Sequence, residues 1–315
     1  MADKAKEEFY TRPPKVGGWQ SFKTFLWNSE TNQFLGRTFA SWAKILLFYV
    51  CFYTGLISFF FGLMALFYQT IDFTTPKWQQ SSSLIGSNPG LGFRPMPPDS
   101  HVESTLIWYK MAERNYAEWT TKLDEFLKPY REPDPQYESF IQNCDYDTAD
   151  NVDRVCKIDI SGWSPCLKDS NYNYHTGAPC IFLKLNKIFG WMPEFYNDTE
   201  HLPENMPQDL KNHINDEKKH NPKALNTVWV SCEGENPADV ENIGSIQYIP
   251  RRGFPGYYFP YKNQKGYLSP IIAIWFEKPA SGVLINIECK AWAHNIQHDR
   301  AERRGSVHFE LMIDH

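Results

Sequence analysis

The chain has 315 residues, a formal net charge of −5 and 42% hydrophobic residues. The acidic balance argues against a nucleic-acid partner, and the apolar content is too high for a disordered chain. A length of this order permits one large domain with its own core.

The first 44 residues are polar and basic: Lys4, Lys6, Arg12, Lys15, Lys23, Arg37 and Lys44 stand against Asp3, Glu7, Glu8 and Glu30. From Ile45 to Tyr68 run 24 residues without a formal charge, ILLFYVCFYTGLISFFFGLMALFY. Such a helix crosses a hydrocarbon layer of about 30 Å. A core helix of a soluble protein rarely runs this long without a polar face, and a cleaved leader has a shorter apolar core after a short basic start. The pattern predicts one permanent span over 45–68, with a tail at 1–44, a stalk at 69–100 and an outer domain at 101–315.

On a helical wheel Tyr49, Phe52, Tyr53, Leu56, Phe60, Leu63 and Phe67 share one face, while Cys51, Gly55, Ser58, Gly62 and Ala65 share the opposite one. A passive anchor needs only apolar side chains. Separate bulky and small faces are what helix association in lipid requires, because packing holds such helices together. An interfacial aromatic belt accounts for Trp42, Tyr49 and Tyr68, but not for Tyr53 or the glycines. The span is read as docking on another membrane protein.

Thr74 to Pro98, rich in Pro, Gly and Ser, predicts a stalk without regular structure. STLIWYK at Ser104–Lys110 has strand composition. Asn115 to Tyr130 has helical spacing, with Pro129 and Pro133 ending it. Cys144 to Cys180 predicts a stapled, loop-rich layer, followed by a strand in CIFLKLNKIFGW. A short helix is expected around Gln208–Lys219. NTVWVSCE, GSIQYIP, SPIIAIWFE, GVLINIECKAW and SVHFELMI then read as strands. The expected fold is a single-span type II membrane protein: one transmembrane helix and a mainly antiparallel, immunoglobulin-like sandwich with a helical insertion.

Six of the seven cysteines follow the span: Cys144, Cys156, Cys166, Cys180, Cys232 and Cys289. An even set on one side of a membrane predicts three disulfides in an oxidising compartment. The N-x-S/T site at Asn197 is on that side too. Basic flanks stay cytoplasmic, and this weak bias agrees with the cysteines and the Asn197 site in placing the N-terminus inside. Alternation puts Val228, Val230 and Cys232 on one strand face, and Ile285, Ile287, Cys289 and Ala291 on another. A Cys232–Cys289 bridge would then tie two strands through the core, as in immunoglobulin-like sandwiches. Locality favours Cys144–Cys156 and Cys166–Cys180, among the fifteen connectivities that six cysteines allow.

Little points to catalysis. Asp145-Tyr146-Asp147 contains the carboxylate pair that luminal transferases use to hold a metal and a sugar nucleotide, but it falls inside a short disulfide loop with no α/β pattern before it. His294 and His298 lack the Glu of a zinc-protease helix, and HNIQH reads as a solvated surface loop. No catalytic residue, cofactor or metal is expected.

The span entry SWAKILLFYVCFYTGL, the stalk segments TIDFTTPKWQ and PGLGFRP, FLKPY, IDISGWSPC, GAPCIFLKLNKIFGW and INIECKAWAHNI occur in order along the chain. Together they resemble the β-subunits of the P-type sodium/potassium and proton/potassium pumps. The resemblance implies a non-catalytic subunit that escorts a catalytic α-subunit to the plasma membrane and modulates potassium handling. It implies that Tyr49, Phe52 and Tyr53 pack on a transmembrane helix of α, with Gly55 and Gly62 on the opposite face. It places Tyr257, Tyr258, Pro260 and Tyr261 of GYYFPYKNQKGYLSP against an extracellular loop of α. Membrane lipid and a small single-span regulatory subunit complete the implied partners. The usual family box, Tyr-Tyr-Pro-Tyr-Tyr-Gly-Lys, is altered: Phe259 intervenes, and Lys262-Asn263 replace the Tyr-Gly after Tyr261. A proton/potassium pump subunit and a pump-independent junction protein are the alternative readings.

Overall fold

The computed structural model describes residues 17–98, 104–147, 154–299, 302 and 304–315. Lys4, Lys6, Arg12 and Lys15 of the basic tail lie outside the described residues. The chain divides into two units, Met1–Asp72 and Phe73–His315.

In the first unit, α1 (Gly18–Leu26) leads into three short antiparallel strands, β1 (Trp27–Asn28), β2 (Gln33–Phe34) and β3 (Arg37–Thr38). The long apolar helix α2 follows at Phe39–Gln69, 31 residues with none buried. It is longer than the apolar run alone because backbone hydrogen bonding, not hydrophobicity, sets a helix end. Ser41 and Lys44 fit its first turns, and Thr38 supplies the extended residue before them.

The second unit packs two sheets face to face. One has the order β10-β12-β8-β4 (Ile246–Ile249, Ile271–Phe276, Cys180–Leu185, Leu91–Arg94). The other has the order β11-β9-β13-β14-β5 (Gly253–Pro255, Thr227–Gly234, Leu284–Trp292, Ser306–Asp314, Leu106–Lys110). All these pairings are antiparallel except β14 with β5. A further two-residue parallel pair joins β6 (Ile141–Gln142) to β7 (Val155–Cys156). Phe309 of β14 joins the sheets, its ring 5.0 Å from Phe93 of β4 and 6.4 Å from Phe276 of β12.

Each sheet carries a layer on its outer face. On the first, Phe182 of β8 meets Phe126 of α3 (Ala117–Arg131), Trp163 and Tyr172 at ring distances of 6.0–6.5 Å. Asp124 fastens this layer by accepting from the Tyr172 hydroxyl at 2.6 Å and from Arg131 at 3.0 Å. On the second, α4 (Gln208–His220) buries Leu210 and Ile214 against Trp229 and Trp292. The Trp292 indole donates to Ser231 Oγ at 2.8 Å.

Two expectations about local structure need correction. Leu91–Arg94, inside the expected irregular stalk, is a strand: its alternation buries Leu91 and Phe93 while Gly92 and Arg94 face outward. Pro129 does not end its helix, which continues to Arg131. A proline in the last turn forfeits one backbone bond. Buried Leu127 and Tyr130, whose hydroxyl donates to the Ser269 carbonyl at 2.8 Å, hold that turn in place.

The cysteines pair as Cys144–Cys156, Cys166–Cys180 and Cys232–Cys289. The third bond does not tie the two sheets together. Cys289 stands directly opposite Cys232 in the β9–β13 ladder, with Cα atoms 4.0 Å apart. Alternation fixes the face a side chain takes, but not which strand is its neighbour. Both sulfurs do face the interior, yet from adjacent strands of one sheet. The bridge therefore pins register within that sheet, and the aromatic contact at Phe309 joins the layers.

The turn after β9 shows how closely this unit is packed. Gly234 leaves room for α5 (Pro237–Asn242): a Cβ there would stand 2.3 Å from the Val240 nitrogen. Buried Asp239 accepts the Asn236 backbone N–H at 3.1 Å and the Asn286 backbone N–H at 3.0 Å. Both side-chain amides donate to it as well. Burial alone would push this carboxyl up; the hydrogen bonds from Asn286 and Asn236 outweigh it and hold the group below the usual value. Its contribution to stability is thus present above the ordinary carboxylate range and lost as pH falls through its lowered pKa. Asp239→Ala, which strands those donors, is expected to cost about 2–3 kcal/mol in denaturant unfolding at neutral pH. The gap to the parent should close in acid; a pH-independent gap counts against this role for the carboxylate.

Candidate partner-binding surfaces

On α2, Tyr49 and Tyr53 are one turn apart with rings stacked at 6.0 Å, and Phe52 meets Tyr53 edge-on at 5.4 Å. Phe48 extends the series, 5.5 Å from Tyr49 and 6.1 Å from Phe52. About half of each side chain at Tyr49, Phe52 and Tyr53 stays exposed. A shallow groove of about 550 Å³ runs beside the tyrosines, between Trp42 and Ile57. Around the helix, Gly55 and Gly62 have open space where a Cβ would be. The aromatic side offers rings to a neighbour, and the glycine side lets another backbone come close.

The second surface begins where β11 ends. Gly256 turns the chain beneath the Asn226 carbonyl, to which its N–H donates at 2.7 Å, and a Cβ there would stand 2.8 Å from that oxygen. Tyr257 and Tyr258 follow in a single 3-10 turn, half-buried, with rings 4.6 Å apart. Burial pushes both phenols up, so they remain neutral donors. Tyr146 packs edge-on against Tyr257 at 5.3 Å; its hydroxyl accepts from Arg251 at 3.0 Å and lies 2.6 Å from Thr227 Oγ1. The Arg251 guanidinium covers the Tyr146 ring at 5.2 Å. Cys156 Sγ touches the Tyr257 carbonyl oxygen at 3.2 Å. A bridged sulfur carries no proton, so this is packing contact and not a hydrogen bond.

Phe259 turns inward, buried edge-on against Trp191 at 5.5 Å. Tyr261 emerges again, its carbonyl accepting the Gly190 N–H at 2.7 Å. Its ring lies 4.8 Å from Tyr267 and 6.3 Å from Phe189, with Lys187 Nζ 5.0 Å from its centroid. Tyr261 and Tyr267 line an open groove of about 770 Å³ with Tyr137 and Lys187. Tyr257 and Tyr258 thus pack around Tyr146 and Arg251 and Tyr261 beside Lys187, and Tyr267 joins the two ends, its hydroxyl 3.5 Å from the Tyr258 carbonyl in a groove that Pro260 also lines. The sequence reading missed Phe48, Tyr146, Arg251, Lys187 and Tyr267. Tyr146 was hidden inside the Asp-x-Asp, and Lys187 comes from a distant strand end.

The altered box has a backbone explanation. Asn263, which the resemblance sets at the place of a glycine, adopts φ 58°, the left-handed region in which asparagine is the common non-glycine residue. The Tyr261 hydroxyl donates to Asn263 Oδ1 at 3.1 Å.

Other singled-out residues have local roles. Asp145 Oδ1 accepts the Asp147 N–H at 2.8 Å, and Asp147 pairs with Lys223. HNIQH is a surface loop, as expected, with Gln297 exposed, and it is also pinned: Asn295 donates to the Met192 carbonyl at 2.7 Å, and the Gln297 N–H donates to Asn88 at 3.0 Å. His294 sits on the Tyr196 ring. His298 packs on Trp292 at 4.5 Å, and burial lowers its pKa. Asn197 is exposed in a loop, and Thr199 Oγ1 accepts from Lys218 at 3.0 Å. Among the described residues no group of His, Cys, Asp or Glu is placed to hold a metal ion.

One membrane-length helix joined to a disulfide-stapled β-sandwich defines the class. The chain belongs to the sodium/potassium ATPase β-chain family, whose model matches residues 13–309. It is 54% identical to the sodium/potassium-transporting ATPase subunit beta-2 of Drosophila melanogaster, over 98% of this chain and 96% of that one. Identity is 41% to subunit beta-1 of the same species, over 98% and 97% of the two chains. It is 30% to the Homo sapiens subunit beta-2, over 94% of each.

The backbone at position 263 makes a direct prediction. Asn263→Gly should leave stability of the full chain nearly unchanged, whereas Asn263→Val should lower it by about 1–2 kcal/mol, the strain of a left-handed β-branched residue. Chemical unfolding of the two variants side by side checks this, and equal effects would refute the correspondence with glycine.

Proposed function

We propose that this chain is the non-catalytic β-subunit of a sodium/potassium-transporting P-type ATPase. In this reading the N-terminus is cytoplasmic, the sandwich is outside the plasma membrane, and Asn197 carries a glycan. The chain brings the catalytic α-subunit through folding and export and then modulates its potassium handling. The observation that carries the reading is the end-to-end match to a β-chain family whose fly and human members are named as subunits of this transporter. The uncovered, two-sided α2 supports it, because such a helix gains most from protein packing in lipid. The aromatic platform at 257–267 supports a second contact, with an extracellular loop of α.

Expressing an α-subunit with and without this chain is the test. Alone, α should be retained and degraded; with the chain it should reach the surface. Tyr49→Ala/Tyr53→Ala should reduce co-purification of α from mild detergent by several-fold while leaving the outer domain folded. Surface delivery of α without this chain would sink the escort role, and undiminished co-purification of the double variant would sink the aromatic contact.

A further inference from the structure

The first unit holds a surface that the partner reading does not use. α1 reads GWQSFKTFL. At 100° per residue, Trp19, Phe22, Phe25 and Leu26 occupy one arc, and Gln20, Ser21, Lys23 and Thr24 the other. A helix this short persists by burying its apolar stripe. Yet no residue of α1 is buried, and Trp19 is 72% exposed.

The segment is nonetheless tied to the membrane-length helix. The Leu35 N–H donates to the Leu26 carbonyl at 3.1 Å. The Trp42 indole of α2 donates to the Phe34 carbonyl at 2.8 Å, and the two rings are 6.3 Å apart. Thus α1 and β1–β3 form a small cap on the first turns of α2. It exposes Trp27 and Phe34 as well, and it carries Lys23 and Arg37 against Glu30, with Lys44 close by in the first turns of α2.

We propose that this cap is a lipid-binding element seated in the bilayer interface, with the apolar arc of α1 among the acyl chains and its cations at phosphate headgroups. Continuity with α2 keeps the arc at the end of a span. Trp and Phe are suited to that depth, and a short amphipathic helix with a cationic flank lies in the interface without crossing it. The surplus of cations complements the anionic cytoplasmic leaflet. Interfacial seating needs only the span; the anionic preference rests on the cytoplasmic N-terminus proposed above.

Nitroxide scanning of the full chain in vesicles tests this. In a Cys51→Ser background the other cysteines are bridged, so a label can be placed singly through Phe22→Cys, Phe25→Cys, Gln20→Cys or Thr24→Cys. Leu26→Cys gives an independent reading of the apolar arc, should a label at Phe22 disturb the helix. Collisions with oxygen, enriched in lipid, are compared with those of a nickel chelate confined to water. The oxygen-to-nickel ratio is expected to be several-fold higher at 22, 25 and 26 than at 20 and 24. It should rise when phosphatidylserine is added to phosphatidylcholine, and Lys23→Gln/Arg37→Gln should abolish that rise. Equal nickel access at all positions overturns the proposal, as does shielding of the apolar arc from both reagents, which would mean a protein cover. No response to phosphatidylserine overturns the headgroup contact. Co-purification of α from the same preparations keeps the two readings apart, since its loss with the ratio intact counts against the assembly role alone.

Discussion

No residue of α2 is buried, and this constraint orders the rest of the molecule. A helix of 31 residues with none buried must be solvated by lipid, by another protein, or by both. In lipid the hydrophobic effect no longer discriminates between neighbours, so shape does. The ring stack from Phe48 to Tyr53 and the bare backbone at Gly55 and Gly62 are two different shapes on one rod. A partner reading such a rod distinguishes its rotation as well as its presence. Leucine around the whole circumference would give the same insertion energy and no preferred orientation.

The second unit meets a different requirement, that of holding its exposed aromatic segment still. Tyr257 and Tyr258 sit on a loop, and loops drift unless tied. Here the ties are specific: Gly256 beneath the Asn226 carbonyl, Arg251 across Tyr146, and the Cys144–Cys156 bridge under the Tyr257 backbone. Since the Cys232–Cys289 bond acts within one sheet, the sandwich depends on its aromatic centre to keep β4, β12 and β14 together. Register and layer packing are therefore secured by separate means.

Much of this was legible in the sequence wherever a period was involved. The apolar run announced α2, and strict alternation announced the inward faces of β9 and β13, including both cysteines. What periodicity cannot encode is adjacency. Cys232 and Cys289 point inward whether their strands share a sheet or face each other across the core, so the reading chose the wrong arrangement. PGLGFRP looked irregular because its Pro and Gly content outweighed one short alternation, Leu91 and Phe93, whose burial depends on the distant β8. The candidate surface was half visible: its tyrosines stand in one segment, but Lys187 and Tyr146 join them only through the fold.

The altered box shows how an aromatic surface segment can absorb an inserted residue. Phe259, the extra residue, spends its side chain on Trp191 and goes into the core. Pro260 then returns the chain to the surface, and Tyr261 comes out beside Tyr267. Two residues later the backbone needs a left-handed turn, which asparagine supplies in place of glycine. The inserted Phe259 and the asparagine leave Tyr257, Tyr258 and Tyr261 in place, whereas Lys262 stands where the resemblance implies a further ring. Lys262 is exposed and lines the groove of Tyr257, Tyr258 and Pro260, so the change there also brings a cation.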